Sequence, residues 1–191
     1  MTIRQKTISI ILIITVIIIS CSAGLSMTDN LAHVSGESMM PALHDGDIVY
    51  GSTSHDGIER NDIIVFHDDD GWTGDDEYLI KRVIGIPGDE ISIDMNGRIR
   101  VNGVLADNET GYTGGCDRMN GNIESNKFTI PANSLFVRGD NLNNSRDSRY
   151  MYCEHENKRY FISYDSVKLH VKGSIGLGTL TEKTIRKGMN S

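Results

Sequence analysis

The longest stretch of the chain without a charge is "TISIILIITVIIISCSAGLSM", from Thr7 to Met27, and it dictates where the remaining residues can lie. A helix of about 20 apolar residues crosses the hydrocarbon core of a bilayer, so this run is long enough to span. Arg4 and Lys6 precede it, and the positive-inside tendency then keeps the N-terminus in the cytoplasm. The expected organisation is a cytoplasmic stub and single transmembrane anchor over residues 1–27, in the plasma membrane. An extracytoplasmic domain over residues 28–191 follows it. Two other readings stand beside this one. A cleaved signal peptide usually carries an apolar core of about 7 to 15 residues, shorter than the run seen here. Alternatively, Ile18-Ile19-Ser20-Cys21 resembles the lipobox of lipoproteins, which would make Cys21 a lipidation site.

Asp29 is the first acidic residue, so all 26 acidic residues follow the span, together with every one of the 19 basic residues except Arg4 and Lys6. No basic stripe is present to neutralise phosphates, which argues against a nucleic-acid partner. Cys116 and Cys153 would share the oxidising exterior, where a disulfide can persist, and both a pair and two free thiols are open. The chain has no C-x-x-C and no His/Cys cluster at metal spacing, so a zinc site is not expected.

After residue 30 the sequence reads as β-rich, with short Val/Ile clusters separated by many of the 20 glycines. Strands are expected at Asp47–Tyr50, Ile63–Phe66, Tyr78–Ile84, Glu90–Asp94, Arg98–Val101, Lys127–Ile130, Leu135–Arg138 and Val167–Val171. Several alternate apolar with polar residues, the period of a half-buried strand. Asn96-Gly97 within "SIDMNGRIRVNG" is a hairpin signal, because both turn positions favour positive φ. The fold class is therefore mainly β, a twisted antiparallel or barrel-like sheet. A polar, Gly-rich insertion is expected over about 103–126. "HDDDGWTGDDE", residues 67 to 77, reads as a solvated acidic loop whose Trp72 is a candidate for the membrane interface.

Ser38, in "VSGESMMPALHDGDIVYG", is either a turn hydroxyl or a nucleophile in need of a base. None of the six histidines falls within an apolar strand beside an evident carboxylate partner. Lys81, in "YLIKRVIGIPGD", does sit in an apolar run, and strand alternation puts Leu79, Lys81 and Val83 on one face. Burial would disfavour the charged ammonium and make the amine usable as a base, whereas a lysine that snorkels to water would be structural. Further on, "VRGDNLNNSRDSRY" packs Asp140, Asn141, Ser145, Asp147, Ser148 and Arg149 into a turn-rich segment.

Taken in order behind an N-terminal span, G-E-S-M-M-P-A-L, Y-L-I-K-R-V-I-G-I-P-G-D and G-D-N-x-x-x-S-x-D-S-R resemble the type I signal peptidase family. That resemblance implies a membrane-bound serine endopeptidase, bacterial in type, acting on the signal peptides of exported preproteins without metal or organic cofactor. It implies Ser38 as nucleophile and Lys81 as general base. Ser145 would orient the lysine, with Asp147 and Arg149 as its supporting ion pair. Val34, Met39, Leu43, Val49, Leu79 and Ile80 are candidates to wall shallow pockets for small, Ala-like side chains, which suits the A-x-A ends of signal peptides. Ser38 follows Met27 by about 11 residues, which at ~3.3 Å each keeps it within ~36 Å of the membrane surface where such ends emerge. Gly36 stands where many relatives carry a serine that assists the oxyanion hole. Restoring that serine is expected to help if position 36 has negative φ, and to cost stability if φ is positive. Ala42 and Leu142 also depart from the usual pattern.

Two other functions compete. A self-cleaving regulatory protease would share a Ser/Lys pair, but such proteins lack a membrane span. An inactive anchored or lipidated adaptor would have no use for Ser38, Lys81 and Ser145 together. Neither the preproteins served nor an oligomeric state is legible.

Overall fold

The computed structural model describes residues 30–74, 77–94, 96–106, 127–154 and 160–176. The expected anchor with Cys21, the body of the 103–126 insertion and Cys116 lie outside them. Eleven strands are described: β1 (Leu31–His33), β2 (Ile48–Ser52), β3 (Ile63–His67), β4 (Tyr78–Gly85), β5 (Glu90–Ile93), β6 (Ile99–Val101), β7 (Val104–Leu105), β8 (Lys127–Thr129), β9 (Ser134–Arg138), β10 (Ile162–Ser163) and β11 (Val167–Ile175). Every described pairing is antiparallel. A larger sheet runs β1-β2-β11-β3-β4-β9-β10 and a smaller one β7-β6-β5-β8.

All eight expected strands are present, shifted by a residue or a few at their ends. β4 runs for eight residues because Leu, Ile, Val and Ile recur without a breaker until Ile86-Pro87-Gly88. The Asn96-Gly97 turn is wider than expected. Asp94 N–H donates to Arg98 O, Gly97 N–H to Asp94 O, and the Asp94 carboxylate accepts from the N–H groups of Asn96 and Arg98. The tight two-residue turn lies at the second Asn-Gly pair. Asn102 and Gly103 both have positive φ, 51° and 80°, and join β6 to β7.

Three apolar clusters hold the strands. One packs Ile64 and Phe66 of β3 against Val83, Leu135, Val137 and Val167. Trp72 belongs to it, edge-on to Phe66 at 5.9 Å and 3 % exposed, so the expectation that this ring meets the membrane interface is overturned. The Asp68 carboxylate accepts from Trp72 N–H and Thr73 N–H, which folds the acidic loop inward and carries the indole with it. A second cluster joins the sheets through Ile84, Ile91, Ile93, Ile99, Ile130 and Phe136. The third gathers Val34, Met39, Leu43, Val49, Val65 and Leu169 beneath the loop that carries Ser38. A short helix, α1 (Ser148–Glu154), follows β9. Cys153 on it is disulfide-bonded.

Candidate active site

The loop between β1 and β2 is closed at its neck by Val34 N–H donating to Asp47 O at 2.8 Å and Gly46 N–H donating to Val34 O at 2.9 Å. Met39 and Leu43, adjacent to Ser38 and one turn on, are 1 % and 3 % exposed and drive into the third cluster. Burying side chains of this size contributes about 1.5–3 kcal/mol each, enough to fix the loop without regular structure. From the opposite side, Asn141 N–H donates to Ser38 O at 2.9 Å and Asn141 Nδ2 to Glu37 O at 3.1 Å. The Gly-Asp-Asn stretch thus grips the backbone of the serine from 103 residues away. Ser38 N–H has no partner among the described residues.

Lys81 lies in β4 opposite Ile64 of β3 and is 3 % exposed. Its Nζ stands 2.9 Å from Ser38 Oγ and donates to Ile80 O at 3.0 Å. Burial disfavours the ammonium and brings its pKa from 10.5 down to about 8, against the opposing pull of the Asp147 carboxylate. An amine in contact with a hydroxyl, and neutral in an appreciable fraction of molecules near pH 8, is equipped to take that hydroxyl's proton.

Asp147 and Arg149 are both buried, and Arg149 Nη2 meets Asp147 Oδ2 at 3.3 Å while donating to Leu142 O at 2.9 Å. The same carboxylate accepts from Gly139 N–H at 3.2 Å and from the N–H groups of Arg149 and Tyr150. Asp147 is therefore the cap that starts α1 and the tie that draws α1 onto the end of β9. A Cβ at Gly139 would overlap Ser145 Oγ and Ser38 O, so only glycine lets these segments meet. Ser145 Oγ is buried beside Gly139 and makes no hydrogen bond, so the expected bond to Lys81 is not formed. Arg82, next to the lysine, donates through Nε to Asp140 Oδ1 at 2.7 Å and locks β4 to the Gly-Asp-Asn turn.

A cleft of about 290 Å³ opens beside Ser38 and Lys81, walled by Ala32, Val49, Val65, Leu79 and Ile80, with His33, Ser35, Glu77 and Tyr78 also on its lining. Of the expected pocket residues, Val49, Leu79 and Ile80 line it. Val34, Met39 and Leu43 do not. They pack in the core behind it, because apolar residues in an irregular loop are its anchors. Ala32, Val65 and Tyr78 were missed, since β1 is too short to show a period and strand pairing is invisible in a linear sequence. Gly36 has φ 85° and its N–H donates to Asp45 Oδ1 at 2.8 Å. The condition for a beneficial serine there, negative φ, is not met, and its backbone donor is already engaged. No group of three or more His, Cys, Asp or Glu placed to hold a metal ion occurs among the described residues, His67 and its neighbouring aspartates included.

Residues 4–167 match the family described as signal peptidase, peptidase S26. The Signal peptidase I S of Bacillus subtilis is 33% identical over 126 residues, covering 61% of this chain and 64% of that protein. A Staphylococcus aureus Signal peptidase IB is 36% identical over 135 residues, covering 61% of this chain and 65% of its own length. The chain thus spans a little under two thirds of these relatives. A solved signal peptidase I from Enterococcus faecalis is 25% identical and covers 61% of this chain and 98% of its own, with a TM-score of 0.39.

Proposed function

Because the chain belongs to the signal peptidase family, peptidase S26, we propose that it is a membrane-anchored endopeptidase that removes signal peptides from exported preproteins, using Ser38 as nucleophile and Lys81 as general base. The observation that carries this reading is the 2.9 Å approach of a buried lysine Nζ to Ser38 Oγ. Neutral Lys81 accepts the Ser38 proton as Oγ attacks the scissile carbonyl, and the resulting ammonium protonates the departing amine. Water, deprotonated by the same amine, then attacks the acyl-enzyme and releases Ser38. The free Ser38 N–H is available to the oxyanion, and the Ser35 side chain, which lines the cleft, is the candidate for a second donor. Asp147 and Arg149 hold the Gly139 and Leu142 backbone that frames the serine, and in this reading Ser145 turns its unused hydroxyl to Lys81 when substrate binds.

Substrate choice follows from the cleft. Val49, Val65 and Ile80 leave space for small side chains ahead of the scissile bond, which favours Ala-x-Ala ends. β4 is paired with β9 only from Arg82 onward, so its edge at Tyr78–Lys81 is open to an extended peptide. The N-terminal span would tether this cleft at the surface where preproteins emerge, with the catalytic domain outside.

The test is incubation of the purified full-length chain in detergent with a preprotein, followed by N-terminal sequencing of the product. A single new N-terminus after a small residue, absent with Ser38→Ala, is expected. A folded protein that leaves several preproteins intact, or a Ser38→Ala variant that still cuts, overturns the reading.

A further inference from the structure

Three residues that small-residue recognition does not use share the lining of the cleft: His33, Glu77 and Tyr78. Glu77 differs from the neighbouring acids of its hairpin. Asp68 is buried and spends its carboxylate on Trp72 and Thr73, and Asp69 pairs with His67 at 2.6 Å. The Glu77 carboxylate is exposed and has no hydrogen bond or ion pair among the described residues. Its backbone is fixed all the same, because Glu77 O accepts from Asp68 N–H at 2.9 Å and the next residue pairs with His67. An unengaged carboxylate on a fixed backbone, facing a peptide-sized cleft, is placed to read charge.

We propose that Glu77 makes the enzyme prefer substrates with Lys or Arg about five residues ahead of the scissile bond. This rests on the peptidase reading given above. The spacing comes from the strand. Glu77 precedes Lys81 by about four residues, or ~13 Å of extended chain, so a peptide lying parallel to β4 along its open edge brings its fourth to sixth residue before the cut alongside Glu77. A cationic side chain there gains a half-solvated ion pair, and an acidic one meets repulsion.

Three matched peptides carrying Lys, Gln or Glu at that position test the proposal. Expected for the wild-type chain is an order Lys over Gln over Glu in kcat/KM, about 2- to 5-fold per step at low salt, the range of exposed pairs. Salt at 0.5 M should compress the order. Glu77→Gln should bring the three rates together and Glu77→Lys should invert them. Asp165→Asn removes the same charge beside β10, outside the cleft lining, and should keep the order. Undiminished preference in Glu77→Gln, or equal loss in Asp165→Asn, overturns the assignment. Affinities of the same peptides for Ser38→Ala, compared with Ser38→Ala/Glu77→Gln, give a readout that does not need turnover. If no peptide is cut, the peptidase reading fails while the charge order in binding still decides on Glu77.

Discussion

Replacing Lys81 by methionine, which keeps all but the last atom of its length and none of its charge, should abolish cleavage and make the protein more stable at neutral pH. The buried amine has its pKa lowered from 10.5 to about 8. That gap corresponds to about 3 kcal/mol by which the fold resists the ammonium. In the unfolded chain the lysine keeps its proton up to 10.5, and in the fold it gives it up near 8, so between these values the unfolded state binds more protons and stability rises with pH. Below 8 the whole penalty is in force. Methionine escapes it but forfeits the contacts of Nζ with Ser38 Oγ and Ile80 O, at about 1 kcal/mol each. Both of those partners belong to residues that line the cleft, where water can take the place of Nζ. The net expectation is a gain of about 1–2 kcal/mol at pH 7 that shrinks and reverses as pH approaches 10.5.

Urea unfolding followed by fluorescence measures this directly, because Trp72 is the only tryptophan and is 3 % exposed in the core. Contributions from parts of the fold that do not touch Lys81 drop out of the difference. A Lys81→Met variant less stable than wild type at pH 7, or a difference that stays constant between pH 8 and 10.5, would refute a buried amine held against its charge.

Activity should follow the same proton. With a pKa of about 8, kcat/KM is expected to climb about tenfold per pH unit below 8 and level off above it, and a profile with a midpoint near ~6.5 would implicate a histidine instead. Gly36→Ser and Gly36→Ala should both lose about 1–2 kcal/mol of stability and gain no turnover, since φ 85° penalises any β-carbon and the Gly36 N–H is committed to Asp45; faster cleavage by the serine variant alone would revive a hydroxyl donor there. Ser145→Ala removes a hydroxyl without a hydrogen bond, so chemical denaturation should show unchanged or higher stability. Its kcat should nevertheless fall by about an order of magnitude if that hydroxyl turns to Lys81 during the reaction, and an unaltered kcat would reject the role.

How far the sequence could be read depended on the length of the repeat being read. β3, β4, β9 and β11 were legible because each runs for five residues or more and carries three or four of Val, Ile, Leu and Phe. β1 and β10 have three and two residues, and exist only because β2 and β9 lie beside them. The same limit governs the cleft. Its Lys81 side could be inferred from alternation along β4, but its Ala32 side comes from β1, and Val65 enters through the register that sets it against Ile80. Met39 and Leu43 were misplaced for a related reason. Their apolar character was visible, but whether a loop side chain faces a pocket or a core depends on the sheet beneath it.

The motif residues themselves were legible as types in order, yet the reason for their order is tertiary. Ser38 has no strand or helix of its own to hold it. Its rigidity comes from Met39 and Leu43 below and from Asn141 above, and Asn141 is held in turn because Arg82 grips Asp140 and Asp147 ties Gly139 to α1. The Asn141 and Arg82 ties each join one motif to another, so loosening either lets Ser38 Oγ drift from Lys81 Nζ. That dependence also accounts for tolerance of the lysine's penalty. A penalty of about 3 kcal/mol at one residue is sustainable because Met39 and Leu43, the two anchors that follow Ser38, contribute about that much or more, and the same packing leaves Lys81 only 3 % exposed.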